Sequence, residues 1–202
     1  MKLNRLFKKP LMTFLMFTAL GFGASSAYAV YFSWKWPVST YIMYFADGYF
    51  GTAATNGAEN SSLLQSAAND WRAVGAKIYP ITTSYENSSI DVRVYYYPDE
   101  YDTSNYGQAR LYDNNYNLIL DYHTSTPVSG EILIWKRNWD DMSVYRKEYI
   151  LLHEMGHTLG LAHVEDGVAD TTASVMDEDD TAYLAPTAYD KTELINRYGK
   201  VQ

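Results

Sequence analysis

Three of the four histidines in this 202-residue chain fall within eleven residues, His153-Glu-Met-Gly-His-Thr-Leu-Gly-Leu-Ala-His163. Imidazoles and a carboxylate in close register are groups for holding a metal and moving a proton. His153 and His157 are four apart, so on a helix they stand one turn apart on the same face. Two imidazoles placed in that way both reach one metal ion at a Zn–N distance of roughly 2.0–2.1 Å. Glu154 projects beside them and can reach a metal-bound water without ligating. Gly160 is where the helix can stop, because glycine tolerates the left-handed conformation that turns the chain. The turn returns His163 as a third ligand and leaves a fourth position open, the mark of a catalytic zinc site, since structural sites are closed. A single histidine on a helix is usually a surface or core residue. Three in this register, with this glutamate and glycine, are not explained in that way. The residues point to one catalytic zinc on His153, His157 and His163, with Glu154 as general base.

The elements that must position these groups follow from hydrophobic periodicity. A long helix is predicted from Met142 or Ser143, through both helical histidines, to about Leu159. A second helix runs from Ser61 or Ser62 to Gly75, with Leu64, Ala67, Ala68, Trp71 and Val74 on one face. A short third helix covers 187–198, before Gly199. Strands are predicted at 36–45, 77–82, 90–97 and 131–135, with a hairpin of 108–112 and 117–122 around Asp113-Asn-Asn-Tyr116. Residues 47–60 read as a loop. No repeat or long linker breaks the pattern, so one α+β domain is expected. Many of the twenty tyrosines fall in the strands. Tyrosine suits half-buried strands, which explains most of them better than an aromatic binding surface does.

Residues 1–29 have the three-part layout of a secretory signal peptide. Lys2, Arg5, Lys8 and Lys9 precede an apolar run at 11–23, and Ala27-x-Ala29 offers a cleavage site. The apolar run is shorter than the roughly 20 residues of a spanning helix. The expected catalytic domain is therefore 30–202, exported and, after cleavage, without a membrane anchor. Loss of the four basic residues moves the formal net charge from −8 to −12. Such a chain is poorly suited to nucleic acid or anionic membrane. It has no cysteine, so its stability must come from its core and from bound metal.

The run 153–163 carries the H-E-x-x-H-x-x-G-x-x-H signature of the metzincin zinc metallopeptidases. The rest of the mature chain resembles their matrixin-like branch, the catalytic domain of matrix-metalloproteinase type, and the signal peptide with a short mature chain suggests a bacterial export product. Ala173-Ser-Val-Met-Asp177 resembles the family's Met-turn, with Met176 thirteen residues after His163. Residues 187–199 resemble the C-terminal helix with its closing Tyr-Gly. The resemblance implies a zincin-like fold: a twisted, mixed five-stranded sheet with an antiparallel edge strand, and three helices. Substrate would lie along the edge strand, for which 107–112 is the candidate, by β-strand addition. The chain departs from the pattern at Val164, where matrixins commonly have serine, and at Glu178, where they usually have proline. Only His123 is left over for the second, structural zinc of the animal enzymes, and the cysteine of their latency switch is missing.

The expected function is that of a secreted zinc-dependent endopeptidase acting on protein or peptide as a monomer. Glu154 would take the proton of the zinc-bound water and hand it to the leaving amine. The alternative is a catalytically silent, zinc-stabilised secreted binding module, which would have no need of Glu154. A third reading keeps the chemistry and restricts the substrate to short peptides or toxins. The acidic runs 99–102 and 177–180 have oxygen ligands of the type Ca2+ takes but no EF-hand pattern, and solvated loops are the commoner explanation for such runs. Tyr183 falls where the family's specificity-pocket wall would pass, and His123 reads as a solvated or core histidine.

Overall fold

A computed structural model of the chain describes residues 31–51, 57–84, 91–97, 106–120, 125–164, 173–177 and 183–202. The expected signal segment, His123, the run 99–102 and residues 178–180 lie outside them. Strands β1 (Thr40–Ala46), β2 (Ile78–Thr83), β3 (Asp91–Tyr97), β4 (Gly107–Tyr112) and β5 (Ser129–Trp135) form one sheet in the order β2-β1-β3-β5-β4. The first four in that row are parallel, with Thr40 opposite Ile78, Met43 opposite Asp91 and Val94 opposite Ile132. β4 runs antiparallel to β5, with Gly107 opposite Ile134, and ends the row.

Three longer helices, α2 (Gly57–Ala73), α4 (Val144–Thr158) and α5 (Ala188–Tyr198), accompany two of a single turn, α1 (Gly48–Gly51) and α3 (Lys136–Asp140). The architecture is mixed α+β, as expected. Parallel neighbours need a crossover, and α2 supplies the one between β1 and β2. Its face of Leu63, Leu64, Ala67, Ala68 and Trp71 is buried at helical spacing. Burying a large apolar side chain of this kind contributes about 1.5–3 kcal/mol.

The sequence-based boundaries shift for identifiable reasons. α2 begins at Gly57, four residues ahead of Ser61, because Asn60 is a buried helical residue whose polar atoms are satisfied by tertiary partners. Its Nδ2 donates to the Phe50 carbonyl (2.9 Å), and its Oδ1 accepts from Trp139 Nε1 (3.0 Å). Asparagine read locally favours a loop, and here the contacts across the fold override that preference. β1 begins at Thr40 because Ser39 takes a left-handed φ of 66°. Among the described residues of the expected second hairpin arm, 117–120, one bridge forms, Tyr112 with Leu118. Asp113 binds the N–H groups of Asn115 (2.8 Å) and Asn117 (2.9 Å), so the chain curls where a straight arm was expected. No helix among the described residues is long and apolar enough to cross a membrane.

Candidate metal centre

α4 starts at Ser143, whose hydroxyl accepts from the Arg146 N–H (3.3 Å). It is buried against α2, where Trp71 Nε1 donates to the Leu152 carbonyl (2.9 Å) and Lys147 Nζ meets Glu59 at 3.1 Å. The end of α4 is a Schellman turn. Gly160 N–H donates to His157 O (2.9 Å) and Leu161 N–H to Gly156 O (3.1 Å). Gly160 takes a φ of 92°, a value that side-chain-bearing residues rarely adopt. Trp36 Nε1 then takes the Thr158 carbonyl (2.7 Å) and the Tyr198 hydroxyl the Leu159 carbonyl (2.9 Å). The helix end is thus locked to the first described segment and to α5.

That turn also serves the histidines. It aims the Leu161 carbonyl at His157 Nδ1, 2.9 Å away. His153 Nδ1 lies 2.8 Å from the Val175 carbonyl. A carbonyl can only accept, so both Nδ1 atoms carry the proton and both Nε2 atoms present a lone pair. The Nε2 atoms of His153, His157 and His163 lie 2.8–3.1 Å from one another. With the protons of His153 and His157 committed to carbonyls, their contact is not a hydrogen bond. Lone pairs that converge so closely fit a shared cation, and a carbonyl on the other ring nitrogen is the usual arrangement for metal-bound histidine. The three histidines lie close enough to hold one metal ion, and no other such group of His, Cys, Asp or Glu occurs among the described residues.

Electrostatics follow burial. Loss of water, with the His163 imidazole beside it, pushes His153 down to about 4. The same causes hold His157 well below its ordinary value. Burial pushes the Glu154 carboxyl up to about 8, opposed by a hydrogen bond from the Ala109 backbone. An approaching cation reinforces the two histidine shifts and opposes that of Glu154, favouring neutral imidazole over imidazolium and carboxylate over acid.

Beneath the site, Ser174, Val175 and Met176 are buried. Met176 packs so closely under α4 that a Cβ on Gly156 would fall 2.3 Å from its sulfur. Asp190, in the first turn of α5, accepts from Ser174 Oγ (2.5 Å), Val175 N–H (3.1 Å), Thr187 N–H (2.7 Å) and Thr187 Oγ1 (2.8 Å). The Tyr149 hydroxyl donates to the Asp177 carbonyl. The histidines and Glu154 open onto a cleft of about 830 Å³, bounded by β4 and by Phe32, Trp34, Tyr106, Leu118 and Arg146. β4 faces α4 with Gly107, Ala109 and Leu111, and its outer edge at Leu111 is already taken by Ile119 N–H (2.9 Å).

All four residues expected from the motif, His153, Glu154, His157 and His163, come together here. Tyr183 is half-buried against the core and does not line the cleft. Asp177 is buried beneath Tyr149, and no acidic calcium cluster forms among the described residues. Asp190 escaped sequence reasoning, although Thr187-x-x-Asp190 has capping-box form and is one in the structure. Phe32 was missed too; its ring stacks on Trp34 (5.4 Å) and lies 5.8 Å from that of His157. No protein-family model matches the chain, and no curated protein matches its sequence.

Proposed function

We propose that the chain is a secreted zinc-dependent endopeptidase of the metzincin type, matrixin-like in its branch. The observation that carries this reading is the convergence of three imidazole Nε2 atoms beside a buried glutamate, at the edge of a sheet. Three imidazoles without a thiolate suit a borderline ion such as zinc and leave one position for catalysis. The zincin-like fold is supported by the same arrangement: an antiparallel edge strand, a helix bearing two histidines and a methionine turn below them.

When bound, zinc supplies a Lewis acid that polarises a carbonyl and acidifies water near neutral pH. The residues of the chain do the rest. His153 and His157 are held in the ligating tautomer by Val175 and Leu161. β4 offers backbone groups along Gly107–Arg110 to an extended peptide, which would add to the sheet as a further strand. Glu154 takes the proton of the attacking water and returns it to the nitrogen of the departing amine as the C–N bond breaks. The Ala109 N–H holds the carboxylate at the strand while it waits. Burial keeps competing water away from it.

The test is Glu154→Gln, compared with wild type on protein and on a peptide library, with and without a chelator. Cleavage should fall by about 10²–10⁴-fold with zinc retained. Chelation of the wild type should abolish it, and added zinc restore it. Near wild-type cleavage by Glu154→Gln overturns the assignment. A wild-type chain that binds zinc and cleaves nothing is instead the silent binding module.

A further inference from the structure

Gly107 opens β4, and its backbone is set by the ladder to Ile134 and by the Trp135 N–H on the Tyr106 carbonyl (3.3 Å). Glycine inside a strand is disfavoured, because it has no side chain to pack and loses more freedom on ordering. A left-handed conformation would excuse it, but the glycines that use one among the described residues are Gly75, Gly160 and Gly199. Gly107 is required by space instead. A Cβ there would lie 2.9 Å from both Cγ and Oε1 of Glu154, and 3.2 Å from Cδ. Nothing but Glu154 comes so near.

The neighbouring positions fit the same account. Side chains alternate along a strand, so Gly107 and Ala109 face α4 together while Gln108 points away. The two smallest residues of β4 therefore lie on the side of the carboxylate, and the Ala109 N–H bonds it. Glu154 is only 7% exposed and stems from the buried face of α4, so it has little room to withdraw.

We infer that Gly107 is a positioning residue for Glu154: the missing side chain at the head of the edge strand forms the recess that holds the carboxylate. The inference rests on the peptidase reading for its catalytic consequence, and on geometry alone for the contact. A side chain at 107 would drive Glu154 out of the recess and leave the histidines untouched.

The experiment is a cycle of four zinc-loaded proteins: wild type, Gly107→Ala, Glu154→Ala and the double variant. Gly107→Ala should lower the thermal midpoint when Glu154 is present and leave it unchanged when residue 154 is alanine. With Glu154 present, kcat should fall by about a hundredfold, the scale of an ångström-sized misplacement, with zinc stoichiometry kept. KM should change less than about threefold, since the recess holds the base and not the peptide. If Gly107→Ala does not fold, recovery of folding in the double variant supports the inference, and failure of both overturns it. Equal loss of stability in both backgrounds overturns it, as does an unchanged kcat or an effect confined to KM. Absence of any cleavage by the zinc-loaded wild type sinks the peptidase reading alone, while the stability cycle still decides the contact.

Discussion

Asp190 and His153 are joined through a single residue: Val175 donates its N–H to the Asp190 carboxylate (3.1 Å) and offers its carbonyl to His153 Nδ1 (2.8 Å). Every group around Asp190 is a donor, and the carboxylate is buried. Asp190→Ala leaves at least two backbone N–H groups without their acceptor, at about 1–3 kcal/mol each. The loss should spread to the metal, because the Val175 carbonyl fixes the tautomer and orientation of His153. Loss of an outer-shell partner typically weakens metal binding by about 10–100-fold. A competitive chelator titration measures this. Lower stability with unchanged zinc affinity would show that the turn and the ligand are not coupled.

Gly160 links the helix end to His157 in a similar way. Alanine there meets a φ of 92° and places Cβ 2.5 Å from Nε of Arg197. A residue forced into such a conformation costs on the order of 1–3 kcal/mol. Relief requires the turn to open, which moves the Leu161 carbonyl off His157 Nδ1. Gly160→Ala should therefore lower the thermal midpoint and weaken zinc binding together. Gly75→Ala, with a φ of 76° and no atom within 4 Å of the added carbon, should lower stability without touching zinc. Zinc affinities that move equally in the two variants would rule out the specific path through Leu161.

The pH response of the ion-free protein should have two arms of opposite sign. His153 is lowered from 6.5 to about 4, so the unfolded chain binds its proton first. Its contribution is present above pH 6.5 and is lost as pH falls through 4. Glu154 is raised from 4.5 to about 8, so its contribution is present below pH 4.5 and is lost as pH rises through 8. Glu154→Gln should remove the alkaline arm and keep the acid one. Thermal midpoints in chelator across this range measure both. An alkaline arm that survives the substitution would assign it to another group.

The grouping of the three histidines was legible because helix geometry is local: residues four apart must share a face, and glycine must break the run. The groups that orient the histidines were less so. The Leu161 and Val175 carbonyls are backbone groups, which carry no side-chain signature, and they reach the histidines only once the Schellman turn and the methionine turn are folded. Gly107 could be placed on a strand from sequence, but its reason for being glycine is an atom of Glu154, 47 positions away. The boundary of α2 shifted on the same account, since Asn60 is decided by Phe50 and Trp139. Periodicity found the elements and the histidine cluster. It did not find what holds them in position.

Removing the metal should loosen one segment more than the rest. His153 and His157 are fixed by α4 and their carbonyl partners, whereas His163 stands on irregular chain after Leu161. The ion would tie that chain to the helix, and without it the Nε2 lone pairs of His153 and His157, 3.1 Å apart, repel. The Val164 N–H, bonded to the Met176 carbonyl at 3.2 Å, lies one residue beyond the third histidine. Its hydrogen exchange should accelerate on chelation. The Leu161 N–H, held inside the Schellman turn, should keep its protection. The global midpoint should fall as well, since a ligand present at a hundred times its Kd stabilises by about 2.7 kcal/mol. Equal loss of protection at Val164 and Leu161 would mean that the ion supports the whole helix end. A Val164 amide indifferent to chelation would mean that His163 does not hold it.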